Sequence, residues 1–415
     1  MKEPQNALVG RIEAHSEATL RNVKLHRNLA HAVVTALESI FEEQQVASRA
    51  LDRLFAANPK WGKRDRSFVA ETTYEIVRWR RLLEHAADSS GNWALLAAQL
   101  THQGVELPDW EEFTPFDAEA IAQRLQTPGL PRAIQESIPD WLDERGQRDL
   151  SDRWAAEIHA LNTEAPVVIR ANTLKISRDE LQLRLQSEEI DTQTIEGLPE
   201  ALQLQTRRSI AHFPLYKEGF FEFQDAASQL VAPFLRVQLG LKVLDACAGA
   251  GGKTLHLAAL MGNRGHIVAS DVEGEKLGEL RRRAWRGGIS CIETKLAPDV
   301  ISHAQRFQRI LIDAPCSGTG TLRRQPDLKW RLTPDFLAQI VERQRQILLT
   351  YSALLQNDGY LVYATCSILP EENERQIEWF VGQSDFELVE QKVISTAETG
   401  FDGFYMTLLK KARSV

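Results

Sequence analysis

KVLDACAGAGGKT, residues 242–254, decides the fold. Lys242, Val243, Leu244 and Asp245 read as a short strand, residues 246–251 as a turn dense in glycine and alanine, and Gly252-Lys253-Thr254 as a helix start. Glycines in such a turn let the backbone approach a ligand closely, and the helix amino end that follows favours negative charge. Two phosphate motifs fail here. A Walker A loop ending at Gly252-Lys253-Thr254 needs glycine at position 247, which is Cys247, and a dinucleotide fingerprint begun at Gly249 needs glycine or alanine at position 254, which is Thr254. Outward from this stretch, strand and helix patterns alternate. Residues 266–270 form an apolar run closing on Asp271, residues 273–286 are helical, residues 290–294 read as a third strand, a fourth ends at Asp313, and residues 359–364 supply a fifth. That alternation predicts an α/β, Rossmann-like, doubly wound sheet with ligands at the carboxyl ends of its strands.

The totals bound the rest. With 415 residues, two or three domains are expected. The hydrophobic fraction of 43% and the charged fraction of 26% are those of a soluble globular protein, and no apolar run approaches the roughly 20 residues needed to span a bilayer. The amino-terminal twenty residues have no apolar core and carry acidic side chains, unlike a signal or transit peptide, so a cytoplasmic, membrane-free protein is expected. A net charge of −8 argues against indiscriminate nucleic-acid binding and leaves room for local basic patches. The four cysteines, Cys247, Cys291, Cys316 and Cys366, lack Cys-x-x-Cys spacing and nearby histidines, so no metal site is expected.

Asp271, at a strand end, is placed either to bind a ribose hydroxyl pair or to cap the next helix. Nucleoside binding on such a sheet without a phosphate loop points to S-adenosylmethionine. Two further strand ends carry thiols. ILIDAPCSGTG, residues 310–320, holds Asp313 and Cys316, and Thr365-Cys366-Ser367 follows the fifth strand. Carbon 5 of a pyrimidine is a poor nucleophile until a thiolate adds at carbon 6. The enamine so formed attacks a methyl sulfonium, and a base then removes the carbon-5 proton so that the thiolate leaves. Cys366, Cys316 and Asp313 supply the required groups. The residues alone do not rank the two cysteines, since a Pro-Cys pair carries the nucleophile in DNA cytosine methyltransferases. Cys247 and Cys291 read as small buried hydrophobes.

Upstream, residues 25–88 read as amphipathic helices with Leu29, Val33, Leu37, Ile40 and Phe41 at helical spacing. Lys63, Arg64, Arg66, Arg78, Arg80 and Arg81 form either a solvated helix face or an RNA-backbone surface. Residues 165–223 read as strand, helix, strand, strand, a small α+β unit of the ferredoxin or RNA-recognition kind, in which Arg170 and Asn172 either contact phosphate or base or serve turns and caps. Between the two thiols, Arg323, Arg324, Lys329 and Arg331 surround Trp330, a pattern that suits single-stranded RNA unless Trp330 only packs the loop.

DAPCSGTG, YATCSILPEENE and the Gly-rich loop resemble the RsmB-type family of RNA 5-methylcytosine methyltransferases, from about residue 165 to the carboxyl end. RANTLK and GFFEFQDAAS resemble that family's pre-catalytic segment, and GKRDRSFVAETTYEIVRWRR is similar to a NusB-like helical domain. The resemblance implies a helical, NusB-like RNA-binding domain over residues 1–155, an α+β RNA-binding subdomain over 156–228, and a methyltransferase domain over 229–415. It implies Cys366 as nucleophile, Cys316 as the group that helps release the methylated base, and Asp313 as a cytosine and cofactor contact. Cys247, Ala248, Gly249, Ala250, Gly251, Gly252, Lys253 and Asp271 would bind S-adenosylmethionine, with Asp299 as the acid on the adenine side. The implied substrate is a cytidine in small-subunit (16S) ribosomal RNA. Transfer RNA or DNA methylation, and a non-catalytic assembly factor, remain the alternatives, and a monomer is expected.

Overall fold

The computed structural model describes residues 25–302 and 306–412. Two compact units emerge. One comprises the described residues up to Ile158 together with Gln325–Leu332; the other comprises the described residues of 159–324 and those from Thr333 onward.

The first unit is helical among its described residues, with Arg27–Phe41, Ala47–Ala57, Lys63–Ala87, Asn92–His102, Ala118–Leu125 and Asp140–Leu150 as its longer helices. Leu29, Val33, Leu37 and Ile40 fall on one helix face and are buried with Val69, Ile76, Val77 and Leu95, as a 3.6-residue apolar period requires. Much of the basic run is used in this packing. Arg78 is buried. The Arg80 guanidinium lies 4.1 Å from the Phe41 ring centroid and pairs with Glu84 at 2.9 Å. Arg81 donates to the Ile138 carbonyl and to Asp140, both at 2.7 Å. Lys63 and Arg64 remain exposed.

The expectation of an RNA-facing cluster about Trp330 is corrected here. Trp330 Nε1–H donates to the Val77 carbonyl at 2.7 Å, and Lys329 is fully buried, its ammonium on the carbonyls of Arg78 and Glu136. Burial, with Arg78 adding to it, pulls the Lys329 pKa well below the usual lysine range. Arg331 pairs with Asp327 at 2.9 Å. The run 325–332 is structural.

The second unit holds two sheets. β1 (Val168–Ala171), β2 (Thr192–Ile195), β3 (Leu198–Leu204) and β4 (Phe221–Phe223) form an antiparallel sheet in the order β2-β3-β1-β4, covered by the helix Arg178–Ser187. β5 (Lys242–Asp245), β6 (His266–Asp271), β7 (Ile292–Leu296), β8 (Phe307–Asp313), β9 (Leu355–Thr365), β10 (Phe386–Ile394) and β11 (Phe404–Lys411) form a seven-stranded sheet in the order β10-β11-β9-β8-β5-β6-β7. β5 to β9 pair in parallel, while β11 runs antiparallel to β9 and to β10. The central strands are covered on both faces, which is why Val243-Leu244, Ile310-Leu311-Ile312 and Leu361-Val362-Tyr363-Ala364 are continuous buried runs. The third strand begins two residues later than expected, and β2, β10 and β11 had no counterpart in the sequence reading.

Register places the site. Asp313 at the end of β8 pairs with Ala364 near the end of β9, so the Cys316 and Cys366 loops leave neighbouring parallel strands side by side.

Candidate active site

The two thiols meet. Cys316 Sγ and Cys366 Sγ are 3.3 Å apart, one donating to the other. The loops are stitched along their length: Ala314 N–H donates to the Ala364 carbonyl at 2.8 Å, Gly320 N–H to the Cys366 carbonyl at 2.9 Å, and Gly403 N–H to the Gly320 carbonyl at 2.8 Å. Gly320 has to be glycine, because a Cβ there would lie 2.0 Å from the Gly403 carbonyl oxygen. The hydrogen bond to Cys366 leads the influences that raise the Cys316 pKa well above the usual thiol range, followed by burial and the charges of Cys366 and Glu372.

Facing the pair is the loop after β5. Lys253 Nζ donates to Asp313 Oδ2 at 2.7 Å. Burial works against the Lys253 charge, yet the Asp313 carboxylate outweighs it and the lysine pKa is raised, with Cys366 and Asp245 helping. Thr254 Oγ1 donates to Asp245 Oδ2 at 2.7 Å beneath the loop. Burial pushes the Asp245 carboxyl up to about 7 despite that bond. Burial likewise keeps the Cys247 thiol protonated, with Asp245, Asp313 and Asp271 adding to it. Cys291 is also buried and raised.

Asp271 is tied on both oxygens: Oδ2 accepts the Gly249 N–H and Oδ1 the Glu273 N–H at the start of the next helix, each at 2.9 Å. The loop fits an adenosyl amino acid. Gly249 has a left-handed φ of 52°, and a Cβ at Gly249 or Gly252 would meet nothing within 4 Å, whereas one at Gly251 would strike Leu280 at 2.5 Å. An open glycine edge beside Lys253 can take a carboxylate tail. Two exposed apolar side chains stand at adjoining strand ends, Val272 at 62% and Leu296 at 43%, with Asp271 paired to Leu296 in register. Asp299 sits three residues beyond Leu296, exposed, in the helix Ala297–Ser302.

The α+β sheet holds this loop from behind. Arg283 Nη1 donates to the Ala250 carbonyl at 2.7 Å and pairs with Glu222 at 2.9 Å, and Arg286 also pairs with Glu222. Arg170 and Asn172 are buried and take structural roles: Arg170 Nη2 donates to the Gly252 carbonyl at 3.4 Å, and Asn172 Nδ2 to the carbonyls of Gly219 and Gly287, both at 2.9 Å. Arg323 is likewise spent on the carbonyls of Gly400 and Glu164. Arg324 bridges two buried carboxylates, Asp402 at 2.6 Å and Asp225 at 2.7 Å. Arg324→Ala would leave both unpaired, at a cost of about 3 kcal/mol, read as a fall in the urea midpoint of this unit.

A pH signature follows from Asp245. Its pKa is about 7 in the fold against 3.8 as the ordinary value, so between those limits the folded state holds a proton that the unfolded chain has lost. Stability therefore falls as pH rises through that window and levels above it. Asp245→Asn keeps an acceptor for Thr254 and should flatten the slope. Urea titrations at pH 4.5 and 7.5 read it, and an unchanged slope would count against a buried, protonated Asp245.

Glu372, Ser317, Ser367 and Gln344, to which the sequence assigned no role, form a buried polar knot under the thiols. Glu372 lies within the quoted PEENE run, but its partners are distributed over three segments, and no local spacing announces them.

These features have relatives. The family described as 16S rRNA methyltransferase RsmB/F matches residues 232–410, and the ferredoxin-like domain of the same methyltransferases matches residues 138–211. A probable ribosomal RNA small subunit methyltransferase B of Synechocystis sp. is 35% identical over 301 residues, spanning 67% of this chain and 68% of its own. The chain belongs to the RsmB/F methyltransferase family. The ribosomal RNA small subunit methyltransferase B of an Escherichia coli strain is 34% identical over 433 residues, 94% of this chain and 100% of its own. A methyltransferase homologue from Pyrococcus horikoshii, solved as a crystal structure, superposes with a TM-score of 0.62 at 27% identity, over 69% of this chain and 99% of that one. As an RsmB/F-family member the chain is an RNA methyltransferase that uses S-adenosylmethionine as its methyl donor. Among the described residues no helix is long and apolar enough to cross a membrane, and no group of three or more His, Cys, Asp or Glu side chains is set to hold a metal.

Proposed function

We propose that the chain methylates carbon 5 of a cytidine in small-subunit ribosomal RNA, through a covalent bond between Cys366 and the base. The observation that carries this reading is the 3.3 Å pair of thiols beside the Lys253–Asp313 ion pair. Two thiols held at the end of a methyltransferase sheet suit a reaction in which one sulfur must bond carbon 6 and another group must take the carbon-5 proton. The names of the relatives support ribosomal RNA as the substrate class.

S-adenosylmethionine, when bound, supplies the electrophilic methyl group. The chain's own residues do the rest. Cys366 Sγ, as thiolate, forms the bond to carbon 6, and the electrons of the carbon 5–carbon 6 double bond shift towards carbon 5 and the ring nitrogen. Asp313 takes a proton from the Lys253 ammonium that it holds, passes it to that nitrogen, and as carboxylate then accepts the new N–H. Carbon 5 then takes the methyl group. Cys316, deprotonated, removes the carbon-5 proton, the double bond re-forms, Cys366 leaves as thiolate, and the ring-nitrogen proton returns to the Asp313–Lys253 pair. The Gly249–Gly252 edge, Lys253 and Asp271 bind the methyl donor, and Asp299 stands on its adenine side.

Incubation of the protein with small-subunit RNA and methyl-labelled donor, followed by digestion to nucleosides, tests the reading. The label should run as 5-methylcytidine. Label in another nucleoside, or only in transfer RNA, would overturn the assignment.

A further inference from the structure

Glu372 is fully buried, six residues beyond Cys366. Its Oε1 accepts from Ser317 N–H at 2.8 Å and from Gln344 Nε2 at 3.0 Å, and its Oε2 accepts from Ser317 Oγ at 2.5 Å and from Ser367 Oγ. Ser317 follows Cys316 in the chain and Ser367 follows Cys366, so one carboxylate ties both thiol loops. The Glu372 main-chain carbonyl also accepts the Tyr363 O–H at 2.7 Å, anchoring it to β9. Four donors on two oxygens is the surrounding an anion needs in an interior. The cation of the site is Lys253, tied to Asp313 at 2.7 Å. Two of the four bonds to Glu372 come from Ser317, beside Cys316, and one from Ser367, beside Cys366, while the Lys253 charge interacts with Cys366.

We propose that Glu372 is a positioning residue that sets the polarity of the thiol pair, holding the one shared proton on Cys316 so that Cys366 carries the thiolate. The inference rests on Cys366 being the nucleophile and explains why that sulfur, of the two, attacks. The proton balance is simple. The two thiols give up one proton to solvent, and the other stays on Cys316 and bridges the 3.3 Å gap. Once Cys366 bonds carbon 6 it is a neutral thioether, and the charge that helped to hold the Cys316 proton is gone. Cys316 then releases that proton to water and stands ready for the carbon-5 proton. The base becomes available only after the nucleophile has been used. The titratable and charged groups facing the pair are Glu372 after β9, Tyr363 on β9, Lys253 after the Gly-rich loop and Asp313 at the end of β8. Glu372 is the anion that Cys316 feels besides Cys366, and it also raises Tyr363 after burial has done so.

The test is iodoacetamide alkylation of the full chain across pH 6–10, with each cysteine followed separately by peptide mass spectrometry. In the unsubstituted protein Cys366 should react at least about tenfold faster than Cys316 at pH 7.5. In Glu372→Gln, the inflection of the Cys316 profile should move to lower pH, and the preference for Cys366 should shrink by about tenfold or more. Glu372→Asp, which keeps the charge, should restore the original inflection. A loosened fold would speed alkylation at every pH and leave the inflection in place, and that result would overturn the proposal. Equal reactivity of the two thiols in the unsubstituted protein would overturn it too, and decides the matter even if the glutamine variant fails to fold. An unmoved inflection while Cys366→Ala abolishes methyl transfer would sink the role of Glu372 alone. Normal transfer by Cys366→Ala would sink the nucleophile assignment whatever the alkylation profile.

Discussion

Cys366→Ala is expected to reduce methyl transfer to RNA by about a thousandfold or more, because the carbon-6 bond has no other sulfur in reach of the same geometry. Cys316 is the only competing thiol within hydrogen-bonding distance of Cys366 among the described residues. It cannot substitute: its loop leaves β8 rather than β9, so its sulfur holds the place of the base and not that of the nucleophile. The variant should retain binding of the methyl donor, since the Gly249–Gly252 edge, Lys253 and Asp271 do not depend on the Cys366 sulfur for their hydrogen bonds. Calorimetric titration with S-adenosylhomocysteine would show affinity unchanged within about threefold, a difference of under 1 kcal/mol. Methyl transfer at the normal rate would remove Cys366 from the chemistry.

How far this site was legible depends on where its partners lie. The strands β5, β6 and β8 are buried on both faces, so they read as apolar runs, and their acids fell at run ends where the structure also puts them: Asp245, Asp271 and Asp313. β10 gave no such signal. Only its end residues Phe386 and Ile394 are buried, and the seven between them, with Leu388, Val389 and Val393 among them, face solvent at the sheet edge. β2 is the polar run Thr192-Gln193-Thr194-Ile195, a strand held by its ladder to β3 rather than by its own hydrophobicity. The cationic cluster around Trp330 failed as an RNA surface because its partners are some 250 residues away in the sequence, at Val77 and Arg78. Charge counted along a chain does not reveal a carbonyl or carboxylate brought in by the fold. The same limit hid Glu372, whose donors come from Ser317, Gln344 and Ser367. The two thiols were legible as strand-end residues, but their 3.3 Å approach is a property of the β8–β9 register.

Cys316→Ala should have the opposite phenotype to loss of the nucleophile: bond formation without release. With Cys366, Lys253 and Asp313 in place, carbon 6 is still attacked and carbon 5 still takes its methyl group. The carbon-5 proton then has no sulfur to receive it, and the protein should accumulate as a covalent RNA adduct that survives denaturing electrophoresis. The variant also removes the neutral partner of the Cys366 sulfur, which leaves the Lys253 ammonium as the nearer stabiliser of its charge, so attack itself should not slow greatly. Packing tolerates the change, since the loop is held by the Ala314 and Gly320 backbone bonds and by the Ser317–Glu372 knot rather than by the thiol. Turnover should fall by about a hundredfold or more, the scale of a lost general base, while a single round of labelled methyl transfer still appears in the adduct band. Adduct in Cys316→Ala and none in the Cys316→Ala, Cys366→Ala double variant would assign the two sulfurs in opposite roles. Free RNA alone in Cys316→Ala, with turnover preserved, would show that another group takes the carbon-5 proton; Asp313 is then the next candidate, because it lies at the end of the same strand and is held by Lys253 at 2.7 Å.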